Sequence, residues 1–464
     1  RASQERRDGL ARYALAVVAG LNILLLTVLV LNHINFPLSL EVMEGTVLQH
    51  FRRAVSFQAI YPEPSPAFVP LAYNPLYYVV SIPFGWVFGV SLFTLRLVAV
   101  LGLVGSGLLL YRIVREKTVY AWWAFLAVGL FAAAYRVMDA YLDTAHSDSW
   151  FLFSALLGSY LIDRDRSRAW NVAGVIVLTA SFWFKQHGAM FAVGGVLFLT
   201  WREIVRSNWR AGLRRSIPYW GVAALLGPAL YVLGGPLLFG PRFLYFTWEV
   251  PRQWTVFNLD TVYRFGVFII HNYLILSLAG GLLVLWTGLR ERANLNVWHV
   301  QFVFAVLTGL MGALDAGSSD NVLVPMGAWF ILVGTLSLSQ LSTRLPVVRR
   351  FGLHLLALFL VFAIFLYDPR PQIVPADAQD RYHELIAFVD QLDGQVYAPD
   401  IGQLPDGYTL YPTPHWVALE DMIRGPGRDR RDHPTTRRLI DPVINPEEEP
   451  SYILAYFRLE DKNV

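Results

Sequence analysis

The 464-residue chain has no cysteine, so disulfides, thiolate chemistry and cysteine-ligated metal sites are excluded. It is also poor in charge. Asp, Glu, Lys and Arg together make up 16% of the residues, and the net charge is only +3. The basic residues are segregated by position rather than gathered on one face, which argues against a nucleic-acid partner. Internal repeats and low-complexity tracts are lacking. What is abundant is apolar: 55% of residues are hydrophobic and 14% aromatic, and the 15 Trp and 22 Tyr suit interfacial belts and sugar-stacking surfaces equally. Long apolar segments separated by short arginine-rich loops predict an all-α polytopic membrane protein. A chain that opens on Arg1 is expected to lack a few leading residues, and its first apolar stretch to be a retained span.

Arg6, Arg7 and Arg12 precede the first span, 13–31, and place the N-terminus in the cytoplasm by the positive-inside rule. Further spans are expected at 95–111, 119–135, 149–162, 171–184, 188–201, 218–239, 265–289, 297–314, 322–341 and 351–367. That makes about eleven at ~20 residues each, several of them short. The clusters Arg112/Arg115/Lys117, Arg164/Arg166/Arg168, Arg202–Arg215, Arg290/Arg292 and Arg344/Arg349/Arg350 then all fall in cytoplasmic loops. Segment 76–89 is apolar but only about 14 residues long, nearer a re-entrant or interfacial helix than a span. The expected division is a membrane domain, 1–367, with juxtamembrane helices in its external loop 32–94, followed by a polar, Pro-rich external domain, 368–464. That domain reads as small α/β, with helices near 377–392 and 416–423 and strands at 396–398 and 452–457.

Lys185, Gln186 and His187 interrupt an apolar run from 171 to 201. A lysine at the centre of a spanning helix costs roughly 2.5–3.5 kcal/mol. One helix of ~31 residues would also be ~46 Å long against a ~30 Å hydrocarbon core, so two short helices joined by an outer turn at Lys185 are expected. A cation there suits a lipid-linked phosphate, though a snorkelling structural lysine fits as well. In 41–55, Met43, Val47, Phe51, Ala54 and Val55 recur at helical spacing, as in an amphipathic helix on the membrane surface. Glu41 and Glu44, three apart, are expected to share a face of it. Either carboxylate could take the proton of an acceptor hydroxyl, or both are solvated interfacial charges. Five prolines make 61–75 an extended loop, followed by the run Tyr73-Asn74-Pro75-Leu76-Tyr77-Tyr78. Asp143, His146 and Asp148 stand before the span 149–162, where Asp148 reads either as a helix N-cap or as a site residue. Asn321 lies in another external turn, 315–321. Asp163-Arg164-Asp165 has the D-x-D form of a metal site but sits among cytoplasmic arginines, and His271, His299 and His354 are isolated on apolar segments.

This arrangement resembles the GT-C superfamily of integral membrane glycosyltransferases, such as the protein O-mannosyltransferases and lipid A aminoarabinose transferases. The likeness runs over 13–367 and rests on Glu41-Val42-Met43-Glu44-Gly45, the Tyr73-to-Tyr78 run, 89–97 with Arg96, Asp143 to Asp148, and Lys185-Gln186. It implies inverting transfer of a sugar from a polyprenyl-phosphate donor to a lipid, glycan or protein acceptor at the outer face of the plasma membrane. Glu44 would be the base, with Glu41 as the alternative, Asp148 the second acidic position and Lys185 the donor-phosphate contact. His187, Gln186, Asp143, His146, Tyr73, Asn74, Tyr77, Arg96 and Asn321 complete the substrate-binding candidates. No cofactor is required if cations neutralise the leaving phosphate, and a divalent cation between Glu44 and Asp148 is a further option. The chain departs from the pattern twice. Tyr73-Asn74-Pro75 replaces an acidic-Lys-Pro string of some relatives, and the Trp-Trp-Asp motif of oligosaccharyltransferases is absent, which argues against transfer of a preassembled glycan to asparagine. A transporter of lipid-linked substrate and a non-catalytic membrane subunit are the rival readings.

Overall fold

The structure, a computed structural model, describes residues 2–255, 257–315, 318–394, 396–399, 414–424, 437–438 and 451–454. It is built of helices: α1 Ala2–His33, α2 Glu44–Val55, α3 Leu76–Phe88, α4 Leu92–Lys117, α5 Ala121–Ala133, α6 Asp148–Arg164, α7 Arg168–Phe184, α8 Ala189–Arg206 and α9 Trp209–Ala224. They continue as α10 Gly235–Phe239, α11 Leu259–Arg290, α12 Val297–Ala313, α13 Val324–Arg344, α14 Pro346–Arg350, α15 Leu353–Ile364, α16 Ala378–Asp390 and α17 Trp416–Ile423. Every expected span overlies a helix. Among the described residues, six helices are long and apolar enough to cross a membrane by length and composition. Together with the shorter apolar helices they make this an integral, multi-pass membrane protein. The buried centre is α13, whose apolar window is 94% buried, whereas that of α1 is 22% buried and turns Leu21, Leu24 and Val28 outward as lipid-facing surface.

The run 171–201 breaks where the sequence requires. Lys185 leaves helical geometry (φ −149°, ψ 135°), ends α7, and is followed by a single 3₁₀ turn before α8. Gly188 makes the closure sterically feasible: a Cβ there would lie 2.2 Å from the carbonyl carbon of Ser181. Segment 61–75 is free of regular helix. Helix α3 is 13 residues long and its Gly85 sits against Phe51 and Val55 of α2, so its far end returns to that helix, with Trp86, Val87 and Phe88 exposed.

One expectation about α2 is overturned. The helix begins at Glu44, so Glu41 lies before it and the two carboxylates do not share a helical face. Glu41 instead accepts the Met43 N–H at 2.9 Å. The helix also differs from one lying on a membrane surface: nine of the twelve residues of α2 are buried, under the loop and α3.

The arginine-bearing ends of the helices gather in one ion-pair layer, with Lys117 to Asp163, Arg164 to Glu116 and Arg202 and Arg206 to Asp165. Asp163 and Asp165 are consumed there. His299 caps α12 through the Asn296 N–H, and His354 is buried beside Trp123. In the C-terminal part, Val396–Tyr397 pairs in parallel with Tyr452–Ile453, close to the expected strands; the rest of the late strand, 455–457, lies outside the described residues. Helix α16 and the first strand share a small core of their own with Leu38. Helix α17 does not join it: Val417, Ala418 and Met422 are buried in the main core of the membrane bundle.

Candidate active site

Two buried ion pairs organise the end of the bundle opposite the arginine layer. The first joins α4 to the start of α2. Arg96, fully buried, donates to both oxygens of Glu44, from Nε at 2.9 Å and Nη2 at 2.5 Å, and its remaining N–H groups meet the carbonyls of His33, Phe36 and Leu38. Glu44 also accepts the N–H groups of Leu40 and Ala145, each at 2.7 Å. Every donor of the guanidinium and both carboxylate oxygens are thereby engaged, the condition under which a buried charge pair is tolerated. Asp143 belongs to the same clamp. It accepts from Tyr135 Oη at 2.7 Å and faces His33 Nδ1 at 2.7 Å, while His33 Nε2 meets the carbonyl of Gln372 at 2.5 Å. Tyr77 donates to the Leu95 carbonyl and ties α3 to α4.

The second pair stands at the helix break. Lys185 Nζ lies 2.7 Å from Asp148 Oδ1, and His146 Nδ1 lies 2.7 Å from Asp148 Oδ2. All three side chains are buried, and Asn321 adds a longer contact of 3.4 Å to Asp148. The N-cap of α6 is Ser147, so Asp148 is held by these partners and not by a capping bond. Both Asp148 and Glu44 face cationic partners. No cluster of three or more His, Asp or Glu that could hold a metal ion occurs among the described residues.

A cavity of about 510 Å³ opens in front of this second pair, lined by Tyr73, Tyr141, Lys185, Gln186, His187 and Asn321, and further by Met43, Trp248, Arg252, Trp254, Trp416 and Asp421. The volume is that of a small-molecule site. Gln186 is oriented by donating to the carbonyls of Ala72 and Thr247, and His187 Nε2 lies 3.3 Å from Asp315. Asn74 sits in a smaller neighbouring void with His146 and Ser147, its amide donating to Phe182 O. The cavity thus unites Lys185, Gln186, His187, Tyr73 and Asn321, with Asp148 and His146 directly behind. Glu44, Arg96 and Asp143 lie outside its wall, in the clamp, and Tyr77 lines the smaller void with Asn74.

Glu41 precedes the lining residues Val42 and Met43 without lining the cavity itself, and it is a carboxylate with unused capacity. Its Oε2 takes the Met43 N–H and, at 3.2 Å, Tyr141 Oη, whereas Oε1 is buried without a partner. Burial raises its pKa to about 7, with the Glu44 charge adding to the rise and His146 opposing it. Tyr141 follows two consecutive non-glycine residues in the left-handed region, Asp139 (φ 63°) and Ala140 (φ 58°).

Sequence reasoning missed the contribution of α17. Asp421 is 2% exposed, its Oδ1 lies 3.4 Å from Arg424, and its Oδ2 has no partner. Burial raises its pKa to about 7 and Glu420 adds to this, against Arg424 and the Ala72 N–H. The available signal was Glu420-Asp421 on an otherwise apolar helical turn.

No protein-family model matches the chain, and comparison with curated protein sequences finds no match. The fold does match solved structures. ArnT from Cupriavidus metallidurans in the apo state aligns with a TM-score of 0.51 at 15% identity, over 84% of this chain and 83% of that one. The Archaeoglobus fulgidus oligosaccharyltransferase in complex with Zn and sulfate aligns at 0.51 and 13% identity, over 88% of this chain and 61% of its own length. AglB from the same organism, in complex with an inhibitory peptide and a dolichol-phosphate, aligns at 0.51 and 12%, over 93% and 68%. The chain shares the helical fold of these solved structures, the fold that the order of its motifs implied.

Proposed function

We propose that the protein transfers a sugar from a polyprenyl-phosphate donor to an acceptor hydroxyl, with inversion, at the outer face of the plasma membrane. The observation that carries this reading is the Lys185–Asp148 pair at the cavity wall, a buried cation at a helix break where a lipid-linked phosphate can reach it. The dolichol-phosphate held by the structurally similar AglB supports the donor class.

In the reaction the acceptor oxygen attacks the anomeric carbon as the bond from that carbon to the phosphate oxygen breaks. The acceptor's proton goes to a carboxylate, and the departing polyprenyl phosphate keeps the electron pair. We assign the base to Glu41, because its Oε1 is free and its pKa lies near neutrality, where a general base works best. Glu44 is assigned instead to positioning, since Arg96 and two backbone amides occupy it. Lys185, held by Asp148 and His146, and Arg252 on the same cavity are assigned to the phosphate. In this reading the N-terminus is cytoplasmic and the chain after residue 367 lies on the external side, with α17 docked into the bundle from there and lipid, glycan and protein acceptors all accommodated.

The test is turnover of a panel of short polyprenyl-phosphate sugars by the purified protein, comparing wild type with Glu41→Gln. Transfer or slow donor hydrolysis that vanishes in the variant supports the assignment. Turnover retained in Glu41→Gln would move the base elsewhere, and no turnover by wild type would turn the reading toward a transporter or a non-catalytic subunit.

A further inference from the structure

The C-terminal helix α17 carries a carboxylate to the cavity, and the bundle is built to keep it there. Its apolar side, Val417, Ala418 and Met422, is buried in the core of the membrane body. The indole N–H of Trp254 donates to the Asp421 carbonyl at 3.0 Å, which pins the helix backbone to the segment before α11. A helix docked so firmly has its side chains fixed in direction, and Asp421 lies on the cavity lining with Oδ2 buried and unpartnered. Leaving a buried carboxylate oxygen unsatisfied costs about 1–3 kcal/mol or more, so the arrangement calls for a ligand with hydroxyl donors. The rest of the wall matches such a ligand. Trp248, 55% exposed, and Trp416 line the same cavity, offering flat apolar surface against which the C–H face of a sugar ring packs.

We propose that Asp421, flanked by Trp416 and Trp248, forms a pyranose-binding subsite, so that α17 completes the cavity with a sugar-recognising carboxylate. Asp421 accepts hydrogen bonds from hydroxyls of the ring while the indoles pack on its faces. The ring is that of the acceptor or that of the donor, and both present the same chemistry. The inference deepens the glycosyltransferase reading by locating a sugar, and it is tested by binding rather than by turnover.

The experiment is saturation-transfer NMR of neutral methyl hexopyranosides with the full-length protein in lipid nanodiscs, for wild type, Asp421→Asn and Trp416→Leu, each first checked for a melting temperature no lower than that of wild type. Wild type is expected to give ring-proton signals, and each variant to bind about tenfold more weakly, the loss expected for one charged hydrogen bond or its packing surface. A non-hydrolysable polyprenyl phosphonate sugar, added as competitor, separates the sources. Displacement of the pyranoside places the donor's ring at Asp421, and simultaneous binding places the acceptor's ring there. Absence of signal from every pyranoside, or equal signal in wild type and both variants, would overturn the proposal. Binding that depends on Asp421 in a protein that turns over no polyprenyl-phosphate sugar would sustain the subsite and remove the transferase reading.

Discussion

Lys185 Nζ and Asp148 Oδ1 meet at 2.7 Å with both side chains buried, one at the break between α7 and α8, the other on the first turn of α6. A pair so placed gains little net stability over an apolar substitute, because desolvation offsets the attraction. Removing one partner alone is far worse, since the other is left charged and unpaired. Lys185→Met and Asp148→Asn should each destabilise by about 3–5 kcal/mol, and the double variant by less than the sum. Thermal unfolding of all three in one detergent measures the coupling. If the two single effects simply add, the pair is not energetically linked. On the proposed role of Lys185 as the phosphate contact, all three should lack turnover, since each loses Lys185 or its anchor.

The two loop carboxylates separate by role. Glu44→Gln removes the charge that faces Arg96 and leaves a buried guanidinium unpaired, so a loss of stability of about 3–5 kcal/mol is expected. Glu41→Gln removes no ion pair. It should retain the fold yet lower turnover by about 10²–10⁴-fold, the usual worth of a general base. Melting temperature and turnover measured side by side decide the matter: an inactive, fully stable Glu44→Gln would return the base to that position.

Activity should also report the Glu41 carboxyl directly. With its pKa raised to about 7, the unprotonated base is scarce in mild acid, so kcat/KM should climb about tenfold per pH unit below 7 and level off above it. Titrating wild type from pH 5 to 9 gives the profile. A curve already flat at pH 5 would mean that the working carboxylate has an ordinary pKa, as an open-loop acid would.

Much of this was legible in the sequence, for physical reasons. Hydrophobic runs and Arg-bearing loops marked the spans because lipid demands satisfied helical backbone, and the Lys185 break followed from length alone. The five prolines of 61–75 excluded helix without any tertiary information. The engagement of Glu44 was not legible because a carboxylate's partners are set by the tertiary fold, and Arg96 is 52 residues away in the chain. Asp421 was missed for the same reason: nothing in 416–423 reveals that its apolar side packs into a bundle whose other members end at 364. Glu41 fell outside the helix its spacing suggested because the chain turns at Met43, where the Glu41 carboxylate takes the Met43 N–H.

The same two perturbed carboxyls fix the direction of a stability change with pH. Glu41 and Asp421 rise from ordinary values of 4.5 and 3.8 to about 7. Between those limits the folded chain holds protons that the unfolded chain has released, so ν in the native state exceeds ν in the unfolded state and stability falls as pH rises. The contribution of each carboxyl is fully present below about pH 4 and lost as pH passes 7, with a slope of at most about 1.4 kcal/mol per pH unit. Asp421→Asn cannot ionise and should therefore melt above wild type at pH 8, with a much smaller gap at pH 4.5. Glu41→Gln should behave alike, and the double variant should flatten the dependence further. Melting curves for the four proteins at the two pH values settle it. A wild type more stable at pH 8 than at pH 4.5, with Asp421→Asn gaining nothing at pH 8, would mean that Asp421 is ionised at little cost and that its Oδ2 has found a partner.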